Sequence, residues 1–277
     1  MSVAGPTVHR LNTAFSWADH GGPFRTLTRE QARQYDEQGF FVLADALTPG
    51  DVAALVEAID PFEARGEEAL RTREGGRFFI ARADEITFTT HLVAHSALLR
   101  RFTSSALFAD LCADLIGPDV RLYWDQAVYK KPGTESPFPW HQDNGYAFVV
   151  PQQYLTCWVA LTDATAENGC PWVVPGLHRA GTLAHEYSET GFVCLRDPPD
   201  ATAVPVHAGS IVVFSSLTPH STGPNRTEDV RKAYIVQFAP TGAAVVRLQP
   251  GGGTTRTPAD DESRQYEVLR AGQRVTR

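Results

Sequence analysis

The segment Gly209–Phe238, GSIVVFSSLTPHSTGPNRTEDVRKAYIVQF, holds two runs of β-branched and aromatic residues separated by a stretch rich in Pro, Ser, Thr, Gly and Asn. Runs of that composition, bounded by turn formers, read as two strands and their connection. The connection carries one histidine, His220, just after the first strand, and the second strand opens on a basic residue, Arg231. Similar runs recur upstream: VRLYWDQAVYKK from Val120, YAFVV from Tyr146, YLTCWVALTD from Tyr154, CPWVVPG from Cys170 and GFVCL from Gly191. Their number and spacing suit an antiparallel double sheet between about residues 118 and 240.

Helical signals dominate before that region. TREQARQYDEQGF offers Thr28 as an N-cap with Gln31 three positions on, a capping box. LTPGDVAALVEAID offers Thr48 as N-cap, Pro49 at the first helical position and Asp51 in the first turn. GFFVLADAL between them reads as a short strand, and LLRRFTSSALFADLCADLI, residues 98–116, spaces its apolar residues for one further amphipathic helix. Helices first and strands afterwards predict a mainly β fold with flanking helices and a double-stranded β-helix (jelly-roll, cupin-like) core. The expectation is a single domain over residues 1–277, with a helical part at about 27–117, the jelly-roll core at about 118–240 and a polar C-terminal extension at about 241–277. In that extension QPGGGTTRTPADDESRQ is Gly-rich and polar, which predicts partial mobility.

A formal charge of −7 without any dense Lys/Arg run argues against nucleic acid and anionic membranes as partners. A small molecule is the expected partner, and monomer and homodimer both stay open. The opening MSVAGPTVHRLNTAF lacks the basic-then-apolar order of a signal peptide, and no run approaches the length of a membrane span, so a cytoplasmic location is expected. Cys112, Cys157, Cys170 and Cys194 lie in apolar contexts without CxxC pairing and read as reduced and buried.

WHQD, Trp140–Asp143, places an imidazole and a carboxylate two positions apart. On a strand such residues share a face, so His141 and Asp143 can close on one cation. His220, on a neighbouring strand, would supply a third ligand. Two imidazoles and one carboxylate on one face of an octahedron are the set expected of non-heme Fe(II) oxygenases. The alternative is that His-x-Asp arises by chance and that each histidine is satisfied by hydrogen bonds alone. His178 competes as a ligand, but ENGCPWVVPGLHR reads as tight-turn scaffold. Arg231 has a matching chemical task, because a guanidinium can hold the distal carboxylate of a 2-oxoglutarate co-substrate in a bidentate fork. A solvated strand charge is its other reading.

Four separated motifs agree in order: LTREQARQYDEQGFFVLADALTPGDVAAL, WHQD, CWVALTDATAENGCPWVVPGLHR and GSIVVFSSLTPHSTGPNRTEDVRKAYIVQF. On these the chain resembles the phytanoyl-CoA dioxygenase-like family of Fe(II)/2-oxoglutarate oxygenases from residue 27 to about 238. The resemblance implies His141, Asp143 and His220 as iron ligands and Arg231 as the 2-oxoglutarate anchor. It also implies Thr222 as a second contact to that carboxylate, Trp158 beside the co-substrate, and Gln126 and Lys130 as further contacts. Fe(II), 2-oxoglutarate and O2 would be used together, giving succinate and CO2 as substrate carbon is oxidised. Asp143 fills a position that related halogenases leave to chloride, which favours hydroxylation, although desaturation, cyclisation and epoxidation use the same triad. A non-catalytic metal-binding jelly-roll sensor is the alternative of another class. Tyr123, Tyr146, Phe148, Phe79 and the adjacent Phe78 predict a pocket for a small, largely apolar molecule of secondary-metabolite or lipid-like kind, though core packing explains them equally. Arg77 and Arg82 read as solvated rather than as substrate anchors.

Overall fold

The computed structural model of the protein describes residues 6–276. Both capping boxes form. Gln31 N–H donates to Thr28 Oγ1 at 3.1 Å and Thr28 N–H to Gln31 Oε1 at 2.9 Å, starting the helix Arg29–Gln38. Thr48 and Asp51 exchange the same pair of bonds at the head of the helix Pro49–Arg71. The first helix stops at Gly39, whose φ of 85° is the left-handed conformation that glycine adopts at no steric cost. The single helix expected over 98–116 is instead two, Ala97–Thr103 and Ala106–Leu115. Three consecutive hydroxyl residues, Thr103 to Ser105, interrupt it. Thr103 Oγ1 bonds back to the Leu99 and Arg100 carbonyls, a local competition with the backbone that breaks or bends helices.

The larger sheet runs in the order Phe40–Leu43, Ile211–Ser215, Leu155–Ala160, Arg231–Pro240, Val120–Lys130 and Ile86–Thr90, ending in the short pieces Ala81–Arg82 and Arg77–Phe78. Every pairing is antiparallel. The second sheet orders Thr202–Ala203, Pro171–Val173, His220–Thr222 and Phe138–His141. Alternation along each strand of the larger sheet divides its side chains between two cores. Leu155, Cys157, Val159, Tyr234 and Val236 pack against the helices with Leu55, Ile59 and Phe108. Trp158, Ala160, Ala233 and Ile235 face the second sheet and meet Val173 and Phe138. The fold is thus a jelly-roll core covered on one side by helices, and the inward parity of Trp158, Arg231 and Gln237 fixes the direction in which they point.

The C-terminal extension corrects the expectation of a polar appendage. Ala244–Leu248 pairs with Thr254–Pro258 and with Val149–Val150, while Glu267–Arg270 adds to the strand Val120–Lys130. Tyr266, Val268 and Leu269 are fully buried in the helix-side core. Three apolar residues dock this segment, too few to outweigh the surrounding Gly, Thr and Asp in its composition. Among the described residues no helix is long and apolar enough to cross a membrane.

Candidate active site

Strand pairing sets His220 directly opposite His141, with ring centroids 4.1 Å apart. Asp143 Oδ1 lies 3.9 Å from His141 Nε2 and 3.8 Å from His220 Nε2. One ligand atom from each residue fits within a 4.8 Å cluster, a group able to hold a metal ion. The local geometry differs from the sequence expectation in one respect. The strand ends at His141, and Asp143 opens a short helical turn, Asp143–Tyr146, rather than continuing the strand.

Several contacts fix this arrangement. His141 Nδ1 lies 2.8 Å from the Pro139 carbonyl and His220 Nδ1 lies 3.0 Å from the Thr218 carbonyl. An Nδ1–H donated to each carbonyl leaves both Nε2 lone pairs facing Asp143, the tautomer a metal requires. Thr156 Oγ1 donates to Asp143 Oδ2 at 2.6 Å, which leaves Oδ1 turned toward the imidazoles. Gln142, between the two candidate ligands, is buried and clamped: its amide donates to the Gly181 and Leu217 carbonyls and accepts from Leu183 N–H. Its own N–H donates to His185 Nε2 at 2.9 Å. Burial, and then the neighbouring His220, hold His141 well below the usual histidine range, so the imidazole is neutral and ready to coordinate. Nitrogen, nitrogen and carboxylate oxygen on one side of a cavity suit Fe(II).

A cavity of about 50 Å³ adjoins the cluster, lined by His141, Asp143, His220, Thr222, Trp158, Gln126 and Arg231. Arg231 is 1% exposed, and its guanidinium lies 5.4 Å from the Trp158 ring centre. Nη1 donates to the Val128 carbonyl at 3.3 Å, while Nε and Nη2 have no partner among the described residues. Burial pushes its pKa down to about 10, which still leaves a cation at neutral pH. Lys130, also fully buried, donates to Thr222 Oγ1 at 3.2 Å and to the Gly223 carbonyl. Burial and then Arg231 press Lys130 down to about 6. A buried guanidinium without a carboxylate is costly unless an anion completes it. Arg226, six residues after His220, is by contrast exposed. His178 lies outside it, with Nε2 held 3.1 Å from the Asp36 carbonyl.

Outside this chamber a cavity of about 540 Å³ shares His141, Asp143, Phe138 and Gln126 with it. Tyr123, Tyr146, Phe78 and Phe79 are on its wall. Phe148 is not: its ring stacks on His9 at 4.8 Å, because extended backbone at Ala147 sends alternate side chains to opposite sides. Arg77 donates to the Glu189 and Phe79 carbonyls and Arg82 pairs with Glu85 at 2.8 Å. Thr156, His185, Tyr154, Gln237 and Arg247 escaped the sequence reading. Thr156 shares the inward parity of Trp158, and Gln237 that of Arg231; a polar residue at such a position was the available signal.

The fold and the site together define an oxygenase of the non-heme Fe(II), 2-oxoglutarate-dependent class. A family model described as phytanoyl-CoA dioxygenase matches residues 35–233, and the chain belongs to that family. A methylphosphonate hydroxylase of Gimesia maris is 28% identical over 217 residues, covering 77% of this chain and 81% of the relative. A phytanoyl-CoA dioxygenase domain-containing protein 1 of Danio rerio is 26% identical, covering 75% and 88%. Among solved structures, the α-ketoglutarate-dependent carbocyclase SnoK from nogalamycin biosynthesis superposes with a TM-score of 0.66 at 26% identity, covering 81% of this chain and 90% of that one. EvdO2 from Micromonospora carbonacea var. aurantiaca, complexed with 2-oxoglutarate, gives 0.62 at 25% identity, covering 84% and 94%. The chain is therefore an Fe(II)/2-oxoglutarate-dependent dioxygenase, with Fe(II) and 2-oxoglutarate as its cofactor and co-substrate.

Proposed function

We propose that the protein hydroxylates an unactivated carbon of a small, largely apolar molecule, with iron held by His141, Asp143 and His220. The observation that carries this reading is the fully buried Arg231 with two unpartnered nitrogens in the same chamber as the His-Asp-His cluster. In this reading Arg231 forks the distal carboxylate of 2-oxoglutarate, with Thr222 and Lys130 at the same end and Trp158 against its carbon chain. Gln126 borders both cavities and separates co-substrate from substrate. Bound iron and 2-oxoglutarate supply the oxidising equivalent from O2, releasing succinate and CO2. The protein residues orient the two reactants, keep the His141 imidazole neutral and exclude water with the aromatic wall of Phe79, Phe138 and Tyr146.

A metal-binding sensor would give the buried guanidinium no partner. The likeness to a carbocyclase supports a second reading, cyclisation with the same residues. The test is incubation with Fe(II), 2-oxoglutarate and O2 against a panel of apolar metabolites. Succinate should form in step with a product that has gained one oxygen atom. A product that has lost a hydrogen pair without gaining oxygen supports desaturation or ring closure instead. Absence of succinate with every compound contradicts the proposal.

A further inference from the structure

The outer cavity carries polar groups that no described residue pairs. Gln237 is 6% exposed and lies on the inward face of its strand, and its side-chain amide makes no hydrogen bond to a described residue. Tyr123 and Tyr154 are 8% and 2% exposed, pack ring to ring at 5.3 Å, and neither phenol oxygen has a partner among the described residues. Arg247, an exposed residue of the strand Ala244–Leu248, reaches the same wall and has no ion pair or hydrogen bond among the described residues. Two phenols, an amide and a guanidinium thus converge on one wall of this cavity, turned toward it and not engaged by any described residue, as donors able to receive an acceptor there. Elsewhere on the wall Phe79 and Phe138 lie 6.4 Å from the Tyr146 ring and form an apolar surface.

We propose that Tyr123, Tyr154, Gln237 and Arg247 form a subsite for one oxyanion head group of the organic substrate, a carboxylate, phosphonate or sulfonate, whose apolar body lies against Phe79 and Tyr146. The subsite rests on the oxygenase reading only in being the place where substrate would approach Asp143. Burial raises the Tyr123 phenol to about 12 and the Tyr154 phenol well above the usual tyrosine range, so both are O–H donors at neutral pH. Phenols, amide N–H and guanidinium converge as donors, which suits a charged oxygen acceptor. An alcohol or a neutral amide would pair the phenols and leave Arg247 unused. Among the described residues Asp143 is the only acidic one on this wall, so most of the chain's acidic side chains lie elsewhere.

The test is calorimetric titration of phenylbutanoate, phenylbutylphosphonate and phenylbutanesulfonate, with phenylbutanol as the uncharged control. Each is added to the metal-free protein and, anaerobically, to the protein loaded with Fe(II) and 2-oxoglutarate. At least one acid should bind about tenfold or more tightly than phenylbutanol in both forms. The ranking of the acids tells which head group is native. Arg247→Gln should bring the preference close to parity, and Tyr123→Phe should reduce it with the ring packing kept. Arg231→Ala should leave it intact. Equal affinity for the alcohol, no binding by any acid, or a preference abolished by Arg231→Ala but untouched by Arg247→Gln overturns the subsite. Failure of the oxygenase reading shows separately, as the absence of an iron–2-oxoglutarate charge-transfer band.

Discussion

At the scale of single residues, the site depends on a buried guanidinium, Arg231, and on the hydrogen bond that holds the Asp143 carboxylate. Arg231 keeps a guanidinium inside the barrel with one hydrogen bond to a carbonyl among the described residues, and in the proposed function the co-substrate completes its pairing. Arg231→Ala would leave the distal carboxylate of 2-oxoglutarate unpaired, at a cost of about 3–5 kcal/mol. That corresponds to a rise of roughly two to three orders of magnitude in its dissociation constant, with metal affinity little changed. Arg231→Lys should fall between, because an ammonium keeps the charge without the fork. Anaerobic titration of 2-oxoglutarate checks both, and unchanged affinity in the alanine variant would move the anchor elsewhere. Thr156→Val removes the donor to Asp143 Oδ2 and should weaken metal binding about 10–100-fold, as loss of an outer hydrogen bond to a ligand does. Metal competition with a chelator reads that change; wild-type affinity would show that Asp143 needs no such support. The grouping of His141, Asp143 and His220 was legible from ligand chemistry and spacing, although Asp143 sits on a helical turn rather than on the strand. Thr156 showed only as a polar residue of inward parity, because its partner Asp143 sits on a turn thirteen residues before it and nothing nearby announces that carboxylate.

At the scale of elements, the capping boxes at Thr28 and Thr48 were readable because a helix N-terminus is specified within four residues. Breaks and dockings that depend on distant partners were hidden. The split after Thr103 involves Tyr266, whose Oη lies 2.6 Å from Thr103 Oγ1 across 163 residues of sequence. The polar C-terminal segment gave little sign of the strand Glu267–Arg270 for the same reason. Tyr266→Ala should therefore destabilise the protein by about 3–5 kcal/mol, as loss of a fully buried aromatic side chain does. A loss under about 1 kcal/mol in denaturant unfolding would show that the segment is a loose appendage. Gly39→Ala should also be costly. A Cβ there would lie 2.5 Å from Thr218 Oγ1 and 2.6 Å from His178 Nδ1, at a φ that disfavours any side chain.

At the scale of the whole molecule, burial of neutral histidines ties stability to pH. His178 and His185 are both lowered to about 4, chiefly by burial, against an unfolded value near 6.5. Between those values the unfolded chain binds more protons than the folded one, so their contribution is present above about pH 6.5 and is lost as pH falls toward 4. Denaturant unfolding of the metal-free protein should show stability falling between about pH 7 and pH 5, by on the order of 1–2 kcal/mol for each histidine. Stability that holds or rises on acidification would contradict their neutral burial. The jelly-roll and its helical cover were legible from the order of elements. The two cavities were not, because their shape arises from packing between sheets that share no local sequence. The most direct test of the central claim adds 2-oxoglutarate to the anaerobic Fe(II) protein and follows the metal-to-ligand charge-transfer absorption. The wild type should develop the band saturably, and His141→Ala and His220→Ala should not, because two remaining ligands cannot hold the facial geometry. A band of wild-type intensity in either variant, or none in the wild type, would contradict the assignment of iron and 2-oxoglutarate to this site.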